Sequence, residues 1–278
     1  MTAPLLELDG LHVDFHLRSG TVHAVRGLSF TLGRERLGIV GESGSGKSQT
    51  GRAILGLTPP PGHVTAKKMT FDGIDLLNAN KETWRKLRGR RLTMVMQDPK
   101  YSLNPIMTIG DQIMETFRSH VKASRSEARD KAIEMLEAVQ IRDPGRVFSL
   151  YPHEVSGGMG QRAMIAMMLV TDPDLFIADE ITSALDVTVQ MEVLHILDEL
   201  VAERGMGLIF ISHDLKLVSS FCDRVLVMYG GRVMEELSAS QLGNAQHPYT
   251  QGLLKCLPTL DNASRPLPVL TRDPEWLA

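Results

Sequence analysis

Leu37-Gly38-Ile39-Val40-Gly41-Glu42-Ser43-Gly44-Ser45-Gly46-Lys47-Ser48 is the stretch that decides the fold. Leu37–Val40 reads as a buried strand, and it runs directly into a complete G-x-x-x-x-G-K-[ST] pattern, Gly41 to Ser48. A helix is expected next, running towards Leu57. The glycines let the backbone fold tightly, so that successive N–H groups face the oxygens of a phosphate chain at a helix N-terminus. Lys47 then reaches the β- and γ-phosphates and the Ser48 hydroxyl ligates Mg²⁺. The alternative, a merely structural glycine turn, does not need the strand before it or the helix after it.

Working outward, other short apolar runs read as buried strands: Leu92–Met96, Leu175–Ala178 and Leu208–Ile211. Helical spacing marks Ala128–Val139, Gln161–Val170 and Val187–Ala202. Strands alternating with helices imply an α/β fold with a mainly parallel sheet. The chain start differs: Leu5–Phe15 and Val22–Leu32 read as antiparallel strands around Arg18-Ser19-Gly20. Arg224–Met228 and Arg232–Glu236 flank Tyr229-Gly230-Gly231 as a second hairpin. Between about 98 and 170 the pattern is mainly helical, an inserted lobe. The expected division is one large domain over 1–240 and a C-terminal extension over 241–278, broken up by prolines.

Composition narrows the function classes. The 278 residues are 43% hydrophobic and 23% charged, enough for a substantial core. A net charge of −3 argues against binding nucleic acid or an anionic membrane by charge alone. Cys222 and Cys256 form no CxxC pair and read as reduced thiols. The start lacks a signal-peptide pattern, and the longest apolar run, Ala163–Val170, is too short to span a bilayer.

Leu175-Phe176-Ile177-Ala178-Asp179-Glu180 is a strand that ends in two carboxylates. Asp179 suits Mg²⁺ and Glu180 suits a general base acting on water. Val155-Ser156-Gly157-Gly158-Met159-Gly160-Gln161 precedes a helix, either as an ordinary cap or as a second anion-binding end. With these pieces in order, nearly the whole chain resembles the ATP-binding cassette family. That family's fold is a P-loop NTPase, RecA-like core with an antiparallel β subdomain and an inserted α-helical lobe.

The resemblance implies that Ser156, Gly157, Gly158 and Gln161 form the signature loop, which binds ATP held by a facing subunit. It makes Gln97 a further Mg²⁺ ligand beside Ser48 and Asp179, and Ser183-Ala184-Leu185-Asp186 the D-loop at a dimer interface. His213 becomes the switch histidine, completing a catalytic set with Glu180 and Lys47. ATP contacts extend from the Gly41–Ser48 loop to Gln49 and to Phe15, which either stacks on adenine or lies in the core with Leu11 and Val13. Two departures stand out: Ile181 replaces the usual proline, and Val155 and Gly160 replace the usual leucine and arginine.

Tyr101-Ser102-Leu103-Asn104-Pro105, Tyr151-Pro152-His153-Glu154 and His247-Pro248-Tyr249-Thr250 resemble the oligopeptide, dipeptide and nickel importer ATPases. The resemblance implies a peripheral subunit on the cytoplasmic face of the inner membrane. Its partners would be a second, homologous ATPase, two transmembrane permease subunits and an extracytoplasmic solute-binding protein, with this chain as the first ATPase of the pair. Only Cys256 follows the His247–Thr250 stretch, so no iron–sulfur cluster is expected. Coiled-coil DNA-repair ATPases and two-cassette translation factors fit less well, since the chain has neither sustained heptads nor a second cassette.

Overall fold

The computed structural model describes residues 3–96, 103–183, 185–257, 270 and 272–277. The chain forms two compact units, one of residues 1–77 with 210–278 and one of residues 78–209.

In the first unit, β1 (Leu6–Leu17) and β2 (Gly20–Leu32) pair antiparallel from Leu6 opposite Leu32 to Leu17 opposite Gly20. Strict alternation fails along β1, because Leu6 and Leu8 are buried and then Leu11 and Val13. A register shift between Leu8 and Leu11 absorbs the extra residue and keeps all four side chains on the core face. β5 (Lys68–Phe71) continues the sheet beside β1, followed by β6 (Ile74–Asp75), while β4 (Gly62–Thr65) pairs with β1 farther along. These three strands escaped the sequence reading. They are two to four residues long, and even β5, which buries Met69 and Phe71, separates its apolar residues with Thr70, so they carry no apolar run.

The same unit holds β3 (Arg36–Gly41), with the parallel strand β10 (Arg224–Tyr229) at its side and antiparallel β11 (Arg232–Ser238) beyond. The β10–β11 turn passes through Gly230 and Gly231, both at positive φ, as the hairpin reading required. Helix α1 (Lys47–Ile54) follows the glycine loop but stops short of Leu57, because Gly56 turns left-handed ahead of the Pro59–Pro61 run. Arg36 and Asp223 tie the starts of β3 and β10 together: Arg36 N–H donates to Asp223 Oδ2 at 2.8 Å and Arg36 Nη2 to Asp223 Oδ1 at 2.9 Å.

In the second unit, α2 (Lys81–Leu87) leads into β7 (Leu92–Val95), which pairs parallel with β8 (Leu175–Asp179). The five residues of β8 are fully buried, as expected of a strand covered on both faces. The expected helical lobe appears as α3 (Ile109–His120), α4 (Arg125–Ala138), α5 (Pro144–Phe148) and α6 (Gly157–Leu169). Polar caps start these helices. Thr108 accepts from Asp111 N–H, Ser124 and Glu127 form a reciprocal capping box, and Asp143 accepts from Arg146 N–H. Their shared core includes Ile113, Ala132, Met135, Leu136, Phe148 and Met164. Helix α7 (Val187–Arg204) follows β8, and Gly205 at positive φ ends it. Strand β9 (Gly207–Ser212) then begins, with Gly207 N–H donating to the Asp174 carbonyl at 2.8 Å. Helix α8 (Leu215–Phe221) and helix α9 (Pro248–Lys255) belong to the first unit.

Candidate functional site: a phosphate loop and its supports

The Gly41–Ser48 loop closes on its own lysine. Lys47 is buried, and its Nζ donates to the Gly41 carbonyl at 2.8 Å and the Glu42 carbonyl at 2.9 Å. Two glycines are required by close backbone approach. A Cβ on Gly41 would lie 2.1 Å from the Met228 carbonyl oxygen, and one on Gly46 would lie 2.3 Å from that of Ala24. Both also sit at positive φ, 151° and 98°. The hairpin turn holds the far side, where Gly231 N–H donates to the Ser45 carbonyl at 3.1 Å. Ser43 and Gly44 are exposed, and Ser48 and Gln49 are half-buried at the first turn of α1. Gln49 Oε1 is buried beside the loop without a hydrogen-bond partner among the described residues. Register shifts between Leu11 and His12 and between Val13 and Asp14 break the alternation of β1 ahead of Phe15, which is half-buried where Leu11 and Val13 are fully buried.

In the second unit Asp179 is the last residue of β8 and is buried. Glu180 follows at φ 50°, a left-handed backbone that a glutamate rarely adopts. Its carbonyl accepts from both Ser183 N–H (3.2 Å) and Ser183 Oγ (2.9 Å), which locks the turn. Ile181 is buried where a proline was expected. Asp186 caps α7, accepting from Thr188 and Val189 N–H at 3.1 Å each. Ser156 caps α6 by accepting from Met159 N–H at 3.3 Å. A Cβ on Gly158 would lie 2.8 Å from Val189 Cγ1, whereas Gly157 faces open space. The cap and anion-binding readings of Ser156 are therefore compatible: the hydroxyl caps one donor and the exposed first turn remains.

One expectation needs correction here. The resemblance places Gln161 among the signature residues that reach a facing subunit's ATP, but it is 1% exposed and its Nε2 is buried without a partner among the described residues. It lies one full turn into α6, on the inward face, where spacing from the cap and not the motif's order decides orientation. At Gly160 a Cβ would meet only Val155 Cγ2, at 3.9 Å, so a larger side chain would fit at that departure. Exposed His213 follows β9, and Gln97, Tyr101, Ser102 and Ala184 lie outside the described residues.

Residues 25–183 match the sequence pattern of the family described as ABC transporter. The chain belongs to the ABC transporter family. Among curated relatives, the dipeptide transport ATP-binding protein DppD of Lactococcus lactis is 43% identical over 262 residues, 93% of this chain and 75% of that protein. The oligopeptide transport ATP-binding protein OppD of Salmonella typhimurium is 46% identical over 260 residues, 93% of this chain and 77% of that protein. Among solved structures, the dimeric MJ0796, a bacterial ABC transporter cassette, superposes with a TM-score of 0.74 at 25% identity, covering 84% of this chain and 98% of its own. The cbiO1 protein of Clostridium perfringens, part of the ABC transporter complex cbiONQ, matches with a TM-score of 0.74 at 25% identity over 91% and 96% of the two chains. The fold is thus the P-loop NTPase cassette, and the protein is an ABC ATPase.

Sequence reasoning missed two residues of this ABC ATPase that touch the phosphate loop. Tyr249 is wholly buried, and its Oη accepts from Glu42 N–H at 3.3 Å. Arg272 donates to the Glu42 carboxylate through Nη2 at 2.8 Å. The His247–Thr250 stretch had been noticed, but only as the mark of a subgroup. Nothing in its spacing shows that it folds back over 200 positions to reach Glu42.

Proposed function

We propose that this ABC ATPase energises an importer of oligopeptides or dipeptides, binding MgATP at Gly41–Ser48 and hydrolysing it to drive solute uptake. The observation that carries the nucleotide assignment is the closed loop around buried Lys47. The peptide assignment rests on the names of relatives 43–46% identical across more than nine-tenths of the chain. In this reading the Lys47 ammonium turns from the Gly41 and Glu42 carbonyls to the β- and γ-phosphates, and the loop's N–H groups bind the chain of oxygens. Ser48, Gln97 and Asp179 offer oxygen donors, the chemistry a hard divalent ion takes; they would hold Mg²⁺, which would supply neutralisation of phosphate charge. Glu180 accepts a proton from the attacking water, His213 contacts the γ-phosphate, and half-buried Phe15 stacks on the base.

Ser156, Gly157 and Gly158 would complete the site of a second, homologous ATPase, with Ser183 and Asp186 beside the interface. Two permease subunits would hold the pair at the cytoplasmic face of the inner membrane, and an extracytoplasmic binding protein would deliver the solute. Among the described residues no helix is long and apolar enough to cross a membrane.

Lys47→Ala and Glu180→Gln in the assembled transporter test the assignment. Lys47→Ala should weaken both nucleotide binding and turnover. Glu180→Gln should keep binding and reduce hydrolysis by 10² or more, because an amide cannot take the proton. Uptake of a labelled dipeptide should fall with hydrolysis. Wild-type turnover in Glu180→Gln would remove the general-base role, and uptake of nickel but not peptide would reassign the solute.

A further inference from the structure

The Gly41–Glu42 peptide unit is held at both ends. Its carbonyl accepts from Lys47 Nζ at 2.8 Å, and its N–H donates to Tyr249 Oη at 3.3 Å. A peptide unit is a rigid plane, so fixing the N–H direction also fixes the carbonyl direction. Tyr249 can hold that direction because its ring is packed on several sides. Its ring is fully buried, 4.7 Å from the ring of Tyr229 and 5.6 Å from that of Trp276, centroid to centroid. Burial pushes its phenol up to about 12, so the hydroxyl stays neutral at physiological pH.

The helix that carries Tyr249 is anchored in turn. The Glu235 carboxylate on β11 accepts from Gln246 N–H at 2.7 Å and His247 N–H at 3.2 Å, and His247 Nδ1 accepts from Tyr249 N–H at 3.1 Å. Strand β11 starts at the hairpin turn that also holds Ser45. A second contact comes from farther along the chain, where Arg272 pairs with the Glu42 carboxylate. Arg272, Tyr229 and Glu42–Ser45 line a cavity of about 450 Å³ on this side of the loop.

We propose that Tyr249 is a positioning residue for ATP binding: through the Gly41–Glu42 peptide it sets the carbonyl that aims Lys47, with Arg272 steadying Glu42 beside it. This rests on the reading that Gly41–Ser48 binds ATP. The C-terminal extension is then part of the nucleotide site, acting from outside the loop on buried Lys47.

Tyr249→Phe keeps the ring and its packing and removes only the hydroxyl. In the full 278-residue chain, titration with MgATP should show Kd raised about three- to tenfold, the range expected for losing one hydrogen bond, with Tm within 2 °C of wild type. In a Lys47→Ala background, read by competition against a fluorescent ATP analogue, the same substitution should change Kd less than twofold, because the residue it aims is gone. Arg272→Gln should raise Kd about twofold and have no further effect beside Glu42→Gln, whereas Tyr249→Phe should still act there, since its partner is a backbone N–H. An unchanged Kd in Tyr249→Phe would overturn the proposal. So would an equal rise with and without Lys47, or a rise that only tracks a fall in Tm. Wild-type chain that binds no MgATP would sink the ATP reading and this one with it; wild type and Tyr249→Phe binding equally well would sink this one alone.

Discussion

Glu180 combines the chemistry assigned to it with a backbone that disfavours it. At φ 50° an L-residue other than asparagine or aspartate bears a steric cost on the order of 1 kcal/mol that achiral glycine escapes. The double acceptance by its carbonyl from Ser183 holds it there. Replacing it with glycine relieves the strain, and the gain is partly offset by the freer unfolded chain. Glu180→Gly should therefore raise stability by roughly 0.5 kcal/mol in denaturant titration while abolishing hydrolysis, the trade-off expected when a strained residue is kept for function. A variant that is less stable than wild type would show that the Glu180 side chain is needed for folding. Phe15 gives a second prediction at this scale. Its half-exposed ring predicts that Phe15→Ala weakens ATP binding by about 0.5–1.5 kcal/mol, that Phe15→Trp is tolerated better, and that thermal melting barely moves. Unfolding of Phe15→Ala would return the residue to the core.

The element that carries the phosphate loop is β3, and its start is fixed by Asp223 at the start of β10. The Arg36 guanidinium, hydrogen-bonded to it, holds the Asp223 carboxyl below the usual aspartate range; burial opposes this, and the Arg36 N–H adds to it. A carboxyl with a lowered native value stabilises the fold above its unfolded value, about 3.9, and that contribution fades as pH falls through the native value. Asp223→Asn should thus cost about 1 kcal/mol at pH 7, a figure kept small because the pair is partly exposed. The gap between wild type and variant should narrow below pH 4. A constant gap from pH 7 to pH 3, measured by urea titration, would mean that the ionised carboxylate is not what joins the two strands.

At the scale of the whole molecule, the chain carries the Gly41–Ser48 loop in one compact unit and the Ser156–Gly158 helix start in the other. The exposed Gly157, with open space around it, suits a surface that meets another molecule. In the proposed function that molecule is the nucleotide of a facing ATPase, which gives ATP a higher affinity for the closed pair than for the open one. Ser156→Arg should leave MgATP binding to the isolated chain unchanged within about twofold, because it lies outside the chain's own loop. ATPase activity of the assembled complex should fall at least tenfold. Loss of the helix cap alone would cost about 1 kcal/mol of stability, so Ser156→Ala serves as the control that separates cap from interface. Equal loss of binding and turnover in Ser156→Arg would limit Ser156 to folding this chain.

The sequence by itself determined the elements whose information is local. The glycine loop between a buried strand and a helix, the apolar strand ending at Asp179-Glu180, the Gly230-Gly231 hairpin and the Ser156 cap each depend on residues a few positions apart. Side-chain period and turn chemistry act over that range, so pattern alone suffices. Short strands β4 to β6 were not legible, because they are two to four residues long and only pairing, of β4 and β5 with β1 and of β6 with β5, makes them strands. Nor was the reach of Tyr249 and Arg272 back to Glu42. Those features are contacts between residues up to 230 positions apart. No spacing rule encodes them, because they exist only once the core has packed and buried polar groups must find partners wherever the folded chain brings them.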